Sequence, residues 1–166
     1  CAAASPASAD FIIHLKASTK LVAEIVVASA FLFFGYGLNW TGSLTGDSIL
    51  TIIWIVGITN AFNLLDNMDG LCGGVAVIAV IALLSGLPLT SASGAPSADV
   101  RYMALLLGAI SGFLVYNIHP ASVFLGDAGS LFIGVSFASF ALGSRDVVVD
   151  QSSLLSVVAA PVLVLL

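Results

Sequence analysis

Long apolar stretches, separated by short polar ones, leave this chain few folds to choose from. They lie at about residues 20–36, 48–65, 71–87, 102–116 and 131–142, with a further run from 153 onward. A helix needs about 20 mostly apolar residues to cross the hydrocarbon of a bilayer, so several of these runs must borrow flanking polar residues to span it. Of all residues 60% are hydrophobic and only 8% charged, against about 25% charged in a soluble domain. The expectation is an all-α, polytopic transmembrane helix bundle. It would have about five full spans plus one truncated span of a larger fold, in a single membrane domain over 1–166.

Charge narrows the function. A net charge of -5 excludes nucleic acid as a partner, because binding its phosphates needs a basic face. The same balance would repel an anionic diphosphate unless a cation lay between, so an acidic site for such a ligand implies Mg²⁺. Cys1 and Cys72 are too few for a disulfide framework, and Cys72 reads as a small buried hydrophobe. Residues 1–9 show neither an initiator Met nor a signal peptide, and the chain stops inside an apolar run. Both ends suit an internal piece of a longer protein.

Polar residues are concentrated in a few places. Asn60, Asn63, Asp66 and Asp69 fall within ten residues between two apolar runs. Burying an unpaired carboxylate is costly, so these acids are either solvated at the membrane surface or paired with a cation. The plain alternative is a polar turn helped by Gly70, Gly73 and Gly74. In helical geometry Asn60 and Asn63 share a face, as do Asp66 and Asp69. Two spans separate Asp10 from Asp66 and Asp69, and two more separate these from Asp127, so all four acids belong on one side of the membrane. Lys16 and Lys20 flank that side and Arg101 and Arg145 the other, which leaves the positive-inside rule undecided. Lys20 can pair locally with Glu24 one turn on. His14 and His119 lack metal-ligand spacing and read as interfacial, as does Trp40.

Two motifs carry a family resemblance. Asn60, Ala61, Asn63, Asp66, Asp69, Gly70 and Leu71 follow N-A-x-N-x-x-D-x-x-D-G-L, and Pro120, Ala121, Phe124, Gly126, Asp127, Gly129 and Ser130 follow P-A-x-x-F-x-G-D-x-G-S, preceded by Tyr116 and Asn117. Their order, with a helical hairpin between them, resembles the polyprenyl-phosphate N-acetylhexosamine-1-phosphate transferases. The resemblance implies transfer of a sugar 1-phosphate from a UDP-N-acetylhexosamine to a polyprenyl phosphate lipid, with release of UMP. It places a Mg²⁺ cofactor, or Mn²⁺ in its stead, on Asp127. Asp66 and Asp69 would be catalytic, while Asn60, Asn63 and Lys20 would bind substrate. Residues 15–21 match a further family stretch with Ala17 in place of Pro. Counting back from it makes Asp10 the first of a catalytic acid pair, with Phe11 standing where the second acid is expected. The resemblance also implies a multi-pass protein of the bacterial inner membrane with its site facing the cytoplasm, and it allows a homodimer. Phe62 and residues 127–130 resemble the N-acetylglucosamine-1-phosphate branch more than the phospho-N-acetylmuramoyl-pentapeptide branch. Other readings are the second branch, an inactive paralogue on account of Phe11, and a transporter whose intramembrane acids would require broken helices.

Overall fold

The computed structural model describes residues 17–87, 96–140 and 142. Asp10, Phe11, His14, Lys16, Arg145 and the run from 153 lie outside the described residues. Among those described there are five helices and no strand: α1 (Ala17–Phe33), α2 (Leu44–Leu65), α3 (Leu71–Gly86), α4 (Ala98–Asn117) and α5 (Gly126–Phe140). Each takes up one expected apolar run and extends into polar neighbours where the run is short. The clearest case is α5, which begins at Gly126 rather than 131 and so places Asp127 inside its first turn. Two helices, α2 and α4, are long and apolar enough to cross a membrane, and α3 is a shorter apolar helix. The 22-residue α2 runs unbroken through its polar end, unlike the interrupted helices that a transporter site would call for.

Helix boundaries follow from local chemistry. Ser43 caps α2 by accepting from the Gly46 N–H, and Ser97 caps α4 by accepting from the Val100 N–H. Such caps satisfy N–H groups that have no partner inside the helix. Gly70 enters α3 with φ 74 and Gly126 opens α5 with φ 65, a left-handed backbone that other residues adopt only at a cost.

The core is centred on α2, which packs against α5, α1 and α3, while α3 also packs on α4. Ile55, Ile58 and Phe62 of α2 are buried, and Phe62 stacks on Phe137 of α5 with ring centroids 5.0 Å apart and planes 13° apart. On α5 the buried Ser130, Gly134 and Ala138 recur every four residues. A stripe of small side chains lets two backbones approach closely, the arrangement that packs helices within membranes. Outward faces are apolar too, with Val22, Val26, Ile53, Ile78 and Leu105 all exposed.

At the end of the bundle away from the acid cluster, Asp47 holds the α1–α2 connection. Its Oδ1 accepts from the Trp40 N–H at 3.1 Å, the Thr41 N–H at 2.8 Å and the Thr41 hydroxyl at 2.8 Å. Asp47→Ala strands these donors and is expected to cost about 2 kcal/mol of stability, read as a lower melting temperature in detergent. Trp40, expected as an interfacial anchor, is half-exposed in this loop and meets Trp54 edge-on with centroids 6.1 Å apart.

Candidate functional site

The end of α2, the start of α3, the end of α4 and the start of α5 converge, and with them both motifs. Asp127 Oδ2 lies 2.6 Å from the Lys20 ammonium of α1. Asn63 of α2 reaches the same carboxylate, its Nδ2 donating to Asp127 Oδ1 at 3.1 Å and to the Ser130 hydroxyl at 2.9 Å. Asp66 caps α2 and accepts from the Gly126 N–H beside Asp127. Burial pushes the Asp66 carboxyl above the ordinary carboxylate range and the Asp127 charge adds to this, while the Gly126 N–H acts in the opposite direction.

Asp69 belongs to a second cluster. Its Oδ2 accepts from the Ala121 N–H at 3.2 Å and lies 3.0 Å from His119 Nδ1. An ionised carboxylate can only accept, so Nδ1 carries the proton there. Beneath this contact the buried Asn117 accepts from the Gly70 N–H at 3.0 Å through Oδ1 and donates to the Val123 carbonyl at 2.9 Å through Nδ2. One amide thus ties the end of the first motif to the loop of the second.

Three expectations need correcting. Asp66 and Asp69 do not share a helix face, because α2 ends at Leu65 and the turn sends them to different partners. Lys20 reaches across to Asp127, and Glu24 accepts from Asn60 Nδ2 of α2 at 2.5 Å, so their direct contacts run between helices, and along α1 the two act on each other through charge without an ion-pair contact. His119, read as an isolated interfacial residue, is exposed but bonded to Asp69. Of the candidate residues, Lys20, Asn63, Asp66 and Asp127 come together, Asn60 joins them through α1, and Asp69 lies in the adjoining loop cluster. Asp10 is outside the described residues. Asn117, Ser130 and Glu24 carry contacts that sequence reasoning missed. The first two stand in or beside the second motif and were legible there, whereas Glu24 gave no signal beyond its charge in an apolar run.

The oxygens available here are the carboxylates of Asp127 and Asp66 and the Ser130 hydroxyl, and the Asp127 carboxylate already meets one cation, the Lys20 ammonium, and the Asn63 amide. Among the described residues no group of three or more acidic, His or Cys side chains could hold a metal by itself. Mg²⁺ suits such a place, since it takes one or two carboxylates and completes its shell with phosphate oxygens and water.

The hydrogen bonds from His119 and then Ala121 hold Asp69 below its ordinary value of 3.8. They favour the charged form, so the tie between the two loops is present above that value and is lost as pH falls through the lower one. His119→Ala is expected to raise Asp69 toward the ordinary range, which a carboxyl-carbon NMR titration would follow.

A model of glycosyl transferase family 4 matches residues 7–145, most of the chain and both motifs. The chain belongs to this family. A phospho-N-acetylmuramoyl-pentapeptide-transferase of Carboxydothermus hydrogenoformans is 42% identical over 59 residues, covering 36% of this chain and 18% of the relative. A probable undecaprenyl-phosphate N-acetylglucosaminyl 1-phosphate transferase of Bacillus subtilis is 39% identical over 93 residues, covering 56% of this chain and 25% of the relative. In Bacteroides thetaiotaomicron a relative with the first of these names is 54% identical over 43 residues, covering 26% of this chain and 10% of its own length. This family 4 chain therefore matches a quarter or less of each of these three curated relatives.

Proposed function

We propose that the protein transfers an N-acetylhexosamine 1-phosphate from a UDP-sugar to a polyprenyl phosphate, releasing UMP, with N-acetylglucosamine 1-phosphate as the group moved. The observation that carries this reading is the meeting of both motifs around one carboxylate, with Lys20 and Asn63 on Asp127 and Asp66 drawn beside it by the Gly126 N–H. Relatives of both names support the reaction class, and Phe62 with residues 127–130 supports the N-acetylglucosamine branch.

Asp127 would hold Mg²⁺. When bound, the ion neutralises charge on the diphosphate as its bond breaks. Lys20 supplies a second positive charge at the same place, and the start of α5 would offer its free first-turn N–H groups to phosphate oxygens. Asn63 fixes the orientation of Asp127, and the Asn60 amide contacts the nucleotide sugar without adding charge. Asp66 takes the proton of the attacking lipid phosphate. Asp69, tied to His119 and the Ala121 N–H, holds the loop of the second motif beside the site. Asp10 would add a further carboxylate.

All five helices cross the membrane in this reading. Their apolar outward faces meet lipid, and the polyprenyl chain approaches Asp127 from the bilayer. The site faces the cytoplasm of a bacterial inner membrane, where nucleotide sugars are made. The test is UMP release from UDP-N-acetylglucosamine by the complete protein in detergent, with undecaprenyl phosphate and Mg²⁺. Release that needs all three components is expected. A folded protein that releases no UMP from this or the pentapeptide substrate would overturn the reading.

A further inference from the structure

Glu24 is the one acidic residue of α1, and it is buried to 4% exposure on a helix whose neighbouring Leu21, Val22, Ile25 and Val26 are exposed. Its Oε2 accepts from Asn60 Nδ2, while its Oε1 is buried with no hydrogen-bond partner. A carboxyl group in such surroundings is costly to bury, and stability alone gives no reason to keep it.

Its contact with Asn60 suggests what it does. Asn60 Nδ2 also donates to the Val56 carbonyl at 2.9 Å. A backbone carbonyl can only accept, so these two contacts decide which end of the amide carries the nitrogen. Asn60 Oδ1 is therefore turned away from both, on a residue that is itself exposed. Lys20, one turn before Glu24 on α1, holds Asp127, and Asn63, one turn after Asn60 on α2, donates to Asp127 as well. The contacts Glu24–Asn60, Asn63–Asp127 and Asp127–Lys20 thus link α1, α2 and α5 in one polar ring.

We infer that Glu24 is a positioning residue: it holds the Asn60 amide so that Oδ1 faces the substrate and accepts from a donor group of the nucleotide sugar. Acceptance of one hydrogen bond is what the role needs. The inference rests on the transferase reading, and kinetics can separate the two.

UMP release by the complete protein, measured across UDP-N-acetylglucosamine concentrations at saturating undecaprenyl phosphate, gives KM and kcat for each variant. Glu24→Ala and Asn60→Ala are each expected to raise KM roughly tenfold, as for one lost hydrogen bond, with kcat within about twofold, since the lost contact serves ground state and transition state alike. The double variant should bind no worse than Asn60→Ala alone, because both changes remove the same contact. Glu24→Gln should stay within about twofold of the wild type, because its side-chain carbonyl accepts the same bond. If Glu24→Ala does not fold, Glu24→Met keeps the length, drops the acceptor and carries the comparison. An unchanged KM on losing the acceptor, additive effects in the double variant, or a Glu24→Gln variant as impaired as Glu24→Ala would each overturn the inference. A folded wild type that neither turns over nor binds UDP-N-acetylglucosamine or the pentapeptide substrate would overturn the transferase reading, and the role of Glu24 with it.

Discussion

Asp127→Ala is expected to lower UMP release by about a thousandfold while leaving the fold almost unchanged. Removing one group that stabilises developing charge in a water-poor site costs about a hundredfold to a thousandfold in rate, and in the proposed mechanism Asp127 would serve both a cation and the Lys20 contact. The stability cost should be small, because the ion pair with Lys20 is partly exposed, at 22% and 45% for the two side chains, and such pairs contribute about 0–1 kcal/mol. Asp127→Asn separates charge from shape. It keeps an oxygen where Asn63 donates at 3.1 Å but cannot neutralise a cation, and it should be as inactive as the Ala variant. UMP release above a tenth of the wild-type rate from Asp127→Asn would remove the charge from the mechanism. Parallel melting curves show whether either variant has lost its fold.

Gly134→Leu is expected to disrupt the bundle. A Cβ at Gly134 would sit 2.6 Å from Thr59 Cα and 3.2 Å from the Thr59 carbonyl oxygen on α2. Both are backbone atoms, so α5 and α2 must separate to admit even a methyl group. Overpacking costs about 1–3 kcal/mol, and a clash with backbone belongs at the upper end, above the gain of about 1 kcal/mol from replacing a helical glycine. Gly134→Ala should therefore lower the melting temperature, and the leucine variant should fail to form a monodisperse protein. Gly112→Ala on α4 is the control, since nothing lies within 4 Å of its added Cβ; it should be neutral or slightly stabilising. Separation of α2 from α5 would also pull Asn63 off Asp127 and Ser130, so the alanine variant should lose UMP release along with stability. A Gly134→Ala protein that melts like the wild type would show that this crossing has slack.

The sequence by itself determined the class of fold, because so few charges among long apolar runs allow little besides a helix bundle. The five described helices fall on the five expected runs. It also marked the candidate site: the two motifs name Asn63, Asp66, Asp69 and Asp127, and the number of runs between them puts Asp66, Asp69 and Asp127 at one end. Helix boundaries were legible only to within several residues, which matters for Asp127, drawn into the first turn of α5.

Only the tertiary structure decided who partners whom. Charge and spacing along α1 suggested Lys20 with Glu24, yet each crosses to another helix, because the packing of α1 on α2 offers Asn60 at one level and α5 offers Asp127 at the other. Spacing made Asp66 and Asp69 equivalent, and the end of α2 at Leu65 separated them. The bond between His119 and Asp69 spans fifty residues and leaves no local pattern. Periodicity records which face of a helix is apolar, but the pairing of polar groups depends on which helices meet and at what level, and those distances exist only once the bundle is packed.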